Sequence, residues 1–333
     1  MKTQQRGLEA ILEALHSADY YITERKMFIS YKIIRDDSGN PYAIQTSTGE
    51  VVPAYDTTVP KGTWIFTPEQ REAAEKRKAK EEGAKMRIKC TDSLGNFFFV
   101  GCNERFDLPP ADITRLIYLH TYIGYDNRIM LTQKTQMKKS DLSDVLFLSE
   151  AGVRSFWEKV SPKYIAEDSG GLISKDRRAF SRGKIKKITN GEAFLKFYIK
   201  GVRVLYENIA QNNPSKLKYL GYLFDLLPFV NIQYNILCDN PEEKRLEDVR
   251  AITLPQFCEY IGFDFNHVSR LLSAYKNILI DVDGVKERFC SCTGFDKSEM
   301  QIFINPHILY SGTDYVRVEI LGEFCRQRRG QKG

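Results

Sequence analysis

Two short stretches of the sequence place side chains that can read DNA bases on the outward face of a predicted helix. In the helix predicted over 150–160, Arg154 lies opposite the apolar positions. In the helix predicted over 265–275, Asn266 and Arg270 lie opposite them. Arginine can pair with guanine, and asparagine with adenine, through two hydrogen bonds each. The polar residues on or beside these faces are therefore candidate DNA contacts: Arg154, Ser155, Lys159, Asn266, His267, Ser269, Arg270 and Lys276.

Positive charge is concentrated in one part of the chain. Lysine and arginine number 49 against 43 acidic residues, which gives a net charge of +6. The stretch from Lys134 to Lys200 holds 15 basic and 8 acidic residues, and between Lys175 and Lys187 the one acid is Asp176. A localised basic surface is typical of a protein that binds a polyanion. We expect phosphate contacts from Lys138, Lys139, Arg177, Arg178, Arg182, Lys184, Lys186 and Lys187 and, in a less basic second region, from Lys286 and Arg288.

Residue types that support catalysis or metal binding form no recognisable pattern. The four histidines occur in neither an HxH nor an HExxH motif, and His120 falls on the apolar face of a predicted helix, where a core histidine is expected. A phosphate-binding loop needs serine or threonine where the sequence has Ile185. The seven cysteines, Cys290 and Cys292 included, lack the spacing of a disulfide framework or a zinc site. We expect no enzyme activity, no cofactor and no bound metal.

Composition indicates a folded protein of two or three domains. The chain has 333 residues, of which 42% are hydrophobic and 28% charged, values typical of globular proteins. No apolar run is long enough for a membrane span, and the first residues lack the uninterrupted apolar segment of a secretory signal. We therefore expect a cytoplasmic protein with reduced cysteines and no membrane partner.

The order of predicted elements indicates an α+β protein that contains one plan twice. An amphipathic helix is predicted over 7–18, and residues 20–66 alternate β-branched and aromatic residues with turn formers, which predicts a small β-rich subdomain. The polar stretch from Thr67 to about Lys85 predicts an exposed helical linker. Beyond the linker, strand, helix, strand, helix, turn, helix and β segment follow one another twice.

Local signals set several element ends in the two copies. Ser140, Thr253 and Asp264 are predicted helix caps, because their side chains can accept a bond from a free backbone amide. The dipeptide Asp283-Gly284 predicts a tight turn that joins two strands into a hairpin. In the first copy, the acid-poor stretch 175–187 stands where this hairpin stands in the second copy.

This order of elements is the winged-helix plan, in which a helix-turn-helix is followed by a β wing. We predict tandem winged-helix domains with this division of the chain: 1–66, an N-terminal helix and small β subdomain; 67–90, a polar helical linker; 91–190, the first winged-helix domain; 191–325, the second; and 326–333, a basic tail. The third helix of a winged helix can lie in the major groove of double-stranded DNA. A protein-interaction scaffold is the competing interpretation, because winged helices also serve in assembly.

Part of the second copy resembles a known protein family. The segment MQIFINPHILYSGT, which begins at Met300, ends a strand in Asn305-Pro306 and continues with apolar, aromatic and glycine residues. This segment, the strand Phe194–Tyr198 and the sequence LPQFCEYIGFDFNHVSRLL are similar to the replication-initiator proteins of plasmids and phages from low-GC Gram-positive bacteria. The similarity covers about residues 193–325, and the first copy has only an echo of it in residues 178–183.

The resemblance implies sequence-specific binding to an origin or operator in a bacterial host, without chemistry of the protein's own. It also implies recruitment of host replication or transcription proteins. Replication initiation at an origin is the function we expect, and a phage transcriptional regulator is the alternative within DNA binding. The sequence leaves open whether the chain forms a homodimer.

Overall fold

In a computed structural model of the chain, the described residues are 31–35, 41–45, 51–53, 68–176, 179–183, 193–294, 296–312 and 315–326. They form helices and small antiparallel sheets, a mixed α+β architecture. They divide into two compact units, one within 13–86 and one from Arg87 onward. Outside the described residues lie the predicted helix 7–18, nearly all of the basic tail, and Arg177, Arg178, Lys184, Lys186 and Lys187.

The first unit contains a three-stranded antiparallel sheet. Its strands are β1 (Tyr31–Arg35), β2 (Pro41–Gln45) and β3 (Val51–Pro53), in that order across the sheet. All three strands fall inside the stretch in which the sequence predicts β structure. The expected β-rich content of this region is therefore confirmed for the residues that the structure describes.

A long polar helix follows this sheet in the chain. Helix α1 (Pro68–Leu94) exceeds the predicted linker 67–90, and the division between the two units falls within it. Gly95 ends the helix with a positive φ of 79°, which glycine adopts without steric cost, and its amide donates to the Thr91 carbonyl over 2.8 Å. The described side chains of α1 are exposed or half-buried, as expected of a helix without an apolar stripe.

The second unit contains two copies of one arrangement, which we call the first and second copy. The first copy has β4 (Phe97–Gly101), α2 (Pro110–His120), α3 (Leu142–Leu146), α4 (Glu150–Val160), β5 (Ile165–Glu167), β6 (Leu172–Ser174) and β7 (Phe180–Ser181). The second copy has β8 (Phe194–Tyr198), α5 (Ile199–Asn212), α6 (Leu217–Asp225), α7 (Leu254–Tyr260), α8 (Val268–Lys276), β9 (Leu279–Val282), β10 (Val285–Arg288), β11 (Cys290–Thr293), β12 (Gln301–Ile304) and α9 (Val316–Cys325). Neither α5 nor α9 is among the predicted elements.

A short bridged turn after the first helix of each copy identifies corresponding residues. In the first copy, Ile123 pairs with Ile129 directly after α2. In the second copy, Val230 pairs with Leu237 shortly after α6. Each bridge closes the turn that follows the first helix of its copy. Two residues that lie the same number of positions before Ile123 and before Val230 are therefore treated as corresponding residues.

The hairpins of the two copies are matched through the same segment. The Ile129 amide donates to the Leu172 carbonyl in β6 over 2.9 Å, and the Leu237 amide donates to the Ile302 carbonyl in β12 over 3.0 Å. The hairpin β5–β6 therefore corresponds to β11–β12. The predicted hairpin at Asp283-Gly284 is present as β9–β10, with both turn residues at positive φ, but it is an extra hairpin and not the counterpart of β5–β6.

The first strands of the two copies form a symmetric pair at the centre of this unit. Strands β4 and β8 run antiparallel, with Phe99 opposite Lys196 in the middle of the pairing. The last segment of each copy lies beside its own first strand, since Phe180 of β7 pairs with β4 and Leu309 bridges to β8. The sheet therefore has the same order when read from either end.

The first helices of the two copies also cross symmetrically. Thr114 of α2 and Gly221 of α6 each lie nine residues before the bridged residue that follows their helix. The Thr114 hydroxyl donates to the Leu217 carbonyl over 2.9 Å. A methyl group added at Gly221 would overlap the Pro110 carbonyl, and Pro110 corresponds to Leu217. One contact thus occurs twice, and an approximate two-fold axis relates the copies.

One hydrophobic core extends through both copies. It contains most of the predicted inward residues of the helices, among them Val153, Phe156, Val160, Leu220, Leu223, Phe224, Val268, Leu271 and Tyr275. The predicted domain division between residues 190 and 191 lies inside this compact unit. The two predicted domains therefore share a core and a sheet.

The turn before each outer helix, α4 and α8, has the same backbone geometry. Phe147 and Gly262 adopt positive φ values of 53° and 64°. Two residues later, Ser149 and Asp264 each accept a backbone amide with a side-chain oxygen, over 3.3 Å and 2.9 Å. Ser149 caps α4 directly, and Asp264 caps the 3-10 turn that leads into α8. Each cap gives a hydrogen-bonding partner to a backbone amide that would otherwise have none.

Two of the three predicted caps are confirmed. Asp264 caps the turn before α8, and Thr253 forms a capping box with Gln256, whose carboxamide oxygen accepts the Thr253 amide over 2.8 Å. The prediction for Ser140 is wrong, because Ser140 lies inside a 3-10 turn, Lys139–Asp141, that precedes α3.

Candidate nucleic-acid interface

Helix α4 buries one face and exposes the other. Val153, Phe156 and Val160 are buried, whereas Arg154 and Ser155 are exposed. Neither Arg154 nor Ser155 forms an ion pair with another residue in the described part of the chain. The guanidinium of Arg154 is therefore available for a ligand, as the sequence predicts for a base-reading residue.

Helix α8 has the same division. Val268, Leu271 and Tyr275 are buried, whereas Ser269 and Arg270 are exposed. Among the residues that the structure describes, Arg270 has no ion-pair partner. The outward positions that the sequence predicts for Ser269 and Arg270 are confirmed, whereas Ala274, on the next turn of the helix, is buried.

The two exposed faces present the same pair of residue types in opposite order. Counted from the capping residue of each helix, Arg154 corresponds to Ser269, and Ser155 corresponds to Arg270. Each helix therefore carries one arginine and one serine on the same turn of its outer face, but the arginines occupy adjacent and not identical positions. The two faces therefore offer the same functional groups at exchanged positions.

Lys159 anchors α4 to α2. Its Nζ lies 2.8 Å from Oδ2 of Asp112, whose side chain is buried and also accepts Arg115 Nη1 over 2.6 Å. The Lys159 side chain is 41% exposed. The sequence predicts Lys159 as a DNA contact, but its ammonium group is committed to a buried carboxylate, which gives it a structural part in holding α4.

Lys138 and Lys139 lie at the start of the helix pair α3 and α4. Lys138 is exposed. Lys139 is half-buried, and its Nζ stands 4.7 Å from the centre of the Trp157 ring on α4, in a cation–π contact. The structure thus places both lysines beside the helix that carries Arg154, as a phosphate-contact function requires.

The polar residues around the start and end of α8 are all exposed. Asn266 and His267 lie in the 3-10 turn that precedes the helix, where His267 Nδ1 is 3.1 Å from the Asp264 carboxylate. Lys276 is the last residue of α8. The three predicted contacts therefore surround the face that carries Arg270.

The basic residues predicted for the second wing lie on the extra hairpin. Lys286 is exposed on β10 opposite Asp281, and Arg288 is half-buried. The loop that corresponds to the β5–β6 turn is 294–300, between β11 and β12, and it carries Lys297. Lys297 Nζ donates to the Ser269 hydroxyl over 2.9 Å, which places this lysine against the outer face of α8.

Lys297 is not among the residues predicted from the sequence to contact DNA, because the Asp283-Gly284 turn is the stronger local hairpin signal. The loop 294–300 has no two-residue turn motif, although Asp296, Lys297 and Ser298 are turn formers or polar residues between two β-rich runs. Only the hydrogen bond between Leu237 and Ile302 of β12 identifies β11–β12 as the counterpart of β5–β6. That bond joins residues far apart in the sequence.

The basic stretch 175–187 is not the wing of the first copy. The hairpin turn of β5–β6 is 168–171, where the Asp168 carboxylate accepts the amides of Gly170 and Gly171, and no basic residue occurs in that turn. The basic stretch begins with Lys175 at the opposite end of β6. Its next described cation, Arg182, donates to the Ile123 carbonyl over 3.0 Å.

His120 is the core residue that the sequence predicts. Its Nδ1 donates to the Leu116 carbonyl over 2.8 Å, its Nε2 lies 3.1 Å from the Ser174 hydroxyl, and its ring stacks on Phe180. Burial lowers the pKa of His120 to about 3, against a backbone hydrogen bond that acts in the other direction. The imidazole is therefore neutral and fully used by the fold.

Burial disfavours the thiolate form of several cysteines. Burial is the main cause that raises the pKa of Cys102 to about 12 and those of Cys238 and Cys258 to about 11. The described residues contain no cluster of three or more histidine, cysteine or acidic side chains suited to a metal ion.

The chain matches no protein-family model, no curated protein and no solved structure. Within the described ranges, no helix is both long enough and apolar enough to cross a membrane.

Proposed function

We propose that this protein binds double-stranded DNA with two winged-helix modules, the first copy and the second copy, whose recognition helices are α4 and α8. The observation that carries the proposal is the repetition itself. Two outer helices, related by an approximate two-fold axis, each expose an arginine without an ion-pair partner among the described residues; Ser149 caps α4, and Asp264 caps the 3-10 turn before α8. A recognition helix of this kind enters the major groove and reads bases with residues on its outer face.

The proposal specifies the form of the target. In dimeric DNA-binding proteins, a two-fold axis in the protein is matched by an inverted pair of half-sites in the DNA. Here one chain supplies both halves, so we expect two adjacent half-sites in inverted orientation. The half-sites should differ in sequence, because Arg154 and Arg270 occupy adjacent and not identical positions on their helices.

Phosphate contacts fall into two groups. Lys138, Lys139, Lys276 and Lys297 adjoin the recognition helices and would position them on the backbone. The second group is the basic stretch 175–187, which begins at the end of β6 opposite the hairpin turn 168–171. Its contribution to duplex binding is a separate hypothesis.

A salt series on full-length protein tests the proposal against the scaffold alternative. A protein that neutralises several phosphates loses duplex affinity steeply with salt, because bound counterions are released from the DNA. We expect log affinity for a 30-base-pair duplex to fall linearly with log salt, with a slope steeper than about −3. A flat response, or no retention at low salt, would favour an assembly scaffold.

From the resemblance of residues 193–325 to plasmid and phage initiators we propose replication initiation in a bacterial host, with a phage transcriptional regulator as the alternative that the sequence leaves open. A footprint on the DNA that flanks the gene distinguishes these functions. A set of short repeated sites supports origin binding, whereas protection of a promoter supports a regulator. Host replication or transcription proteins are the partners that follow from either function.

A further inference from the structure

Tyr125 is the most exposed of the large hydrophobic side chains that the structure describes. It is 74% exposed and lies in the tight turn between Ile123 and Ile129. The turn is closed by a 2.7 Å bond from the Gly124 amide to the Arg128 carbonyl. Its ring therefore presents a flat face on which a ligand could stack.

The ring is held in place from one side. The guanidinium carbon of Arg182 stands 5.1 Å from the ring centre, and the same guanidinium group is fixed by its bond to the Ile123 carbonyl. Gly183, at a φ of 90°, lies so close that a methyl group there would meet the ring. One side of the Tyr125 ring is therefore supported while most of its surface remains open.

The bridged turn of the second copy also contains a tyrosine, and there the tyrosine is buried. Tyr234 lies between the bridged residues Val230 and Leu237, and the half-buried Arg317 of α9 stands 5.0 Å from its ring centre. Tyr234 is only 4% exposed, and its hydroxyl donates to the Lys244 carbonyl over 2.8 Å. The tyrosine in the turn of the first copy therefore lacks a cover that the second copy provides for its own, although the two tyrosines are not at the same position of the turn.

The surroundings of Tyr125 are cationic. Arg128 and Lys175 are exposed, and Arg182 is half-buried beside the ring. Asp126 is the acid nearest in sequence, and Arg128 already pairs with it over 3.4 Å. An aromatic ring among phosphate-binding side chains suits a ligand that is both flat and anionic.

The turn of Tyr125 is separate from the hairpin turn 168–171. Arg128 bridges to Ile173, and the Ser174 amide donates to the Asn127 carbonyl over 2.8 Å, so the Tyr125 turn lies at the far end of β6. At about 3.3 Å per residue, the two ends of this three-residue strand are roughly 7 Å apart. A ligand on Tyr125 would not occupy the hairpin turn of the proposed duplex interface.

We infer that Tyr125 is a stacking platform for an unpaired base of single-stranded nucleic acid, with Arg182 and the neighbouring basic residues as phosphate contacts. Single-strand binding proteins combine aromatic platforms with a positively charged track, and each stacked base contributes enough to change affinity severalfold or more. A paired base cannot present its face in this way. The inference goes beyond the proposed duplex function and concerns a different surface.

The test measures binding of full-length protein to fluorescein-labelled dT20 and rU20 by anisotropy at one salt concentration. We expect Tyr125→Ala to weaken binding of at least one of these strands on the order of tenfold. Tyr125→Phe is the matched control and should bind as the unchanged protein does, because stacking needs the ring and not the hydroxyl. Phe147→Ala, which removes another exposed ring, should also leave single-strand binding unchanged.

The same variants on a duplex separate this inference from the proposed function. Tyr125→Ala should leave duplex affinity unchanged, whereas Arg154→Ala should alter duplex recognition and leave dT20 binding unchanged. The inference is overturned if the unchanged protein binds neither single strand or if Tyr125→Ala binds both as well as it does. An equal loss on single strand and duplex would also overturn it, since Tyr125 would then belong to the duplex interface. A comparison of dT20 with rU20 identifies which strand the platform takes.

Discussion

The two copies share backbone geometry and differ in how each holds its outer helix. In the first copy, Lys159 on α4 pairs with the buried carboxylate of Asp112 on α2. The corresponding residues of the second copy are Ala274 and Tyr219, both buried. The first copy therefore fixes its outer helix with charge, and the second copy fixes its outer helix with apolar packing.

The same contrast recurs at the base of the first helix. His120 and Leu227 each lie three residues before the bridged residue of their copy, and both are buried. One is a titratable ring with two hydrogen-bonding partners and the other a hydrocarbon. A repeated fold thus requires repeated backbone contacts but tolerates different side-chain chemistry. Because only the first copy has a titratable residue at this position, its stability should depend more strongly on pH.

The largest effect should come from the helix crossing, where the copies contribute a glycine and a threonine. Gly221→Ala places a methyl group against the Pro110 backbone and forces α2 and α6 apart, which should lower the free energy of unfolding by about 3 kcal/mol or more. Thr114→Ala removes one buried hydrogen bond and should cost about 1 kcal/mol. Urea denaturation of both variants measures the difference. Equal costs would contradict the symmetric crossing.

The next effect is a pH dependence that belongs to the first copy. Because the folded-state pKa of His120 is about 3 and its ordinary value is 6.5, the folded state binds fewer protons, and stability falls as pH drops below 6.5. The folding equilibrium constant should decrease about tenfold per pH unit from this residue alone. His120→Leu, which installs the second copy's residue, should make urea denaturation midpoints at pH 6.5 and pH 5 differ less than in the unchanged protein. An identical difference would exclude His120 as the cause.

A smaller effect should separate the basic stretch from the recognition helices. Arg177→Ala, Arg178→Ala and Lys184→Ala together should weaken binding of all duplex sequences equally and reduce the salt slope by up to about 3, if the stretch contacts duplex phosphates. The matched control is Lys80→Ala, which removes one exposed cation from helix α1 and should leave duplex binding unchanged. Unchanged duplex binding by the triple variant would remove the stretch from the duplex interface.

Local patterns predicted the recognition helices well. Helix α4 begins and ends as predicted, because Val153, Phe156, Trp157 and Val160 give a helical apolar period after the cap Ser149. The exposed faces followed directly from that period. The positions that could contact DNA on α4 and α8 were therefore readable from the sequence.

Features that depend on contacts between distant residues could not be predicted from the sequence. Helix α5 follows β8 without a break, so its apolar residues Val202, Leu205 and Ile209 continue a strand-like run. The choice between β9–β10 and β11–β12 as the wing depends on which hairpin pairs with Leu237, and the commitment of Lys159 depends on Asp112, 47 residues away. Such contacts between distant residues leave no local period or turn motif.

Selection of bound duplexes from a random pool tests the central claim most directly. We expect full-length protein to select two different motifs in inverted orientation at one fixed spacing. Arg154→Ala should lose preference at one base pair of one motif, and Arg270→Ala at one base pair of the other, each by about 1 to 3 kcal/mol. Selection of no motif, or loss from both variants at the same base pair, would contradict two recognition helices acting as halves of one DNA-binding protein.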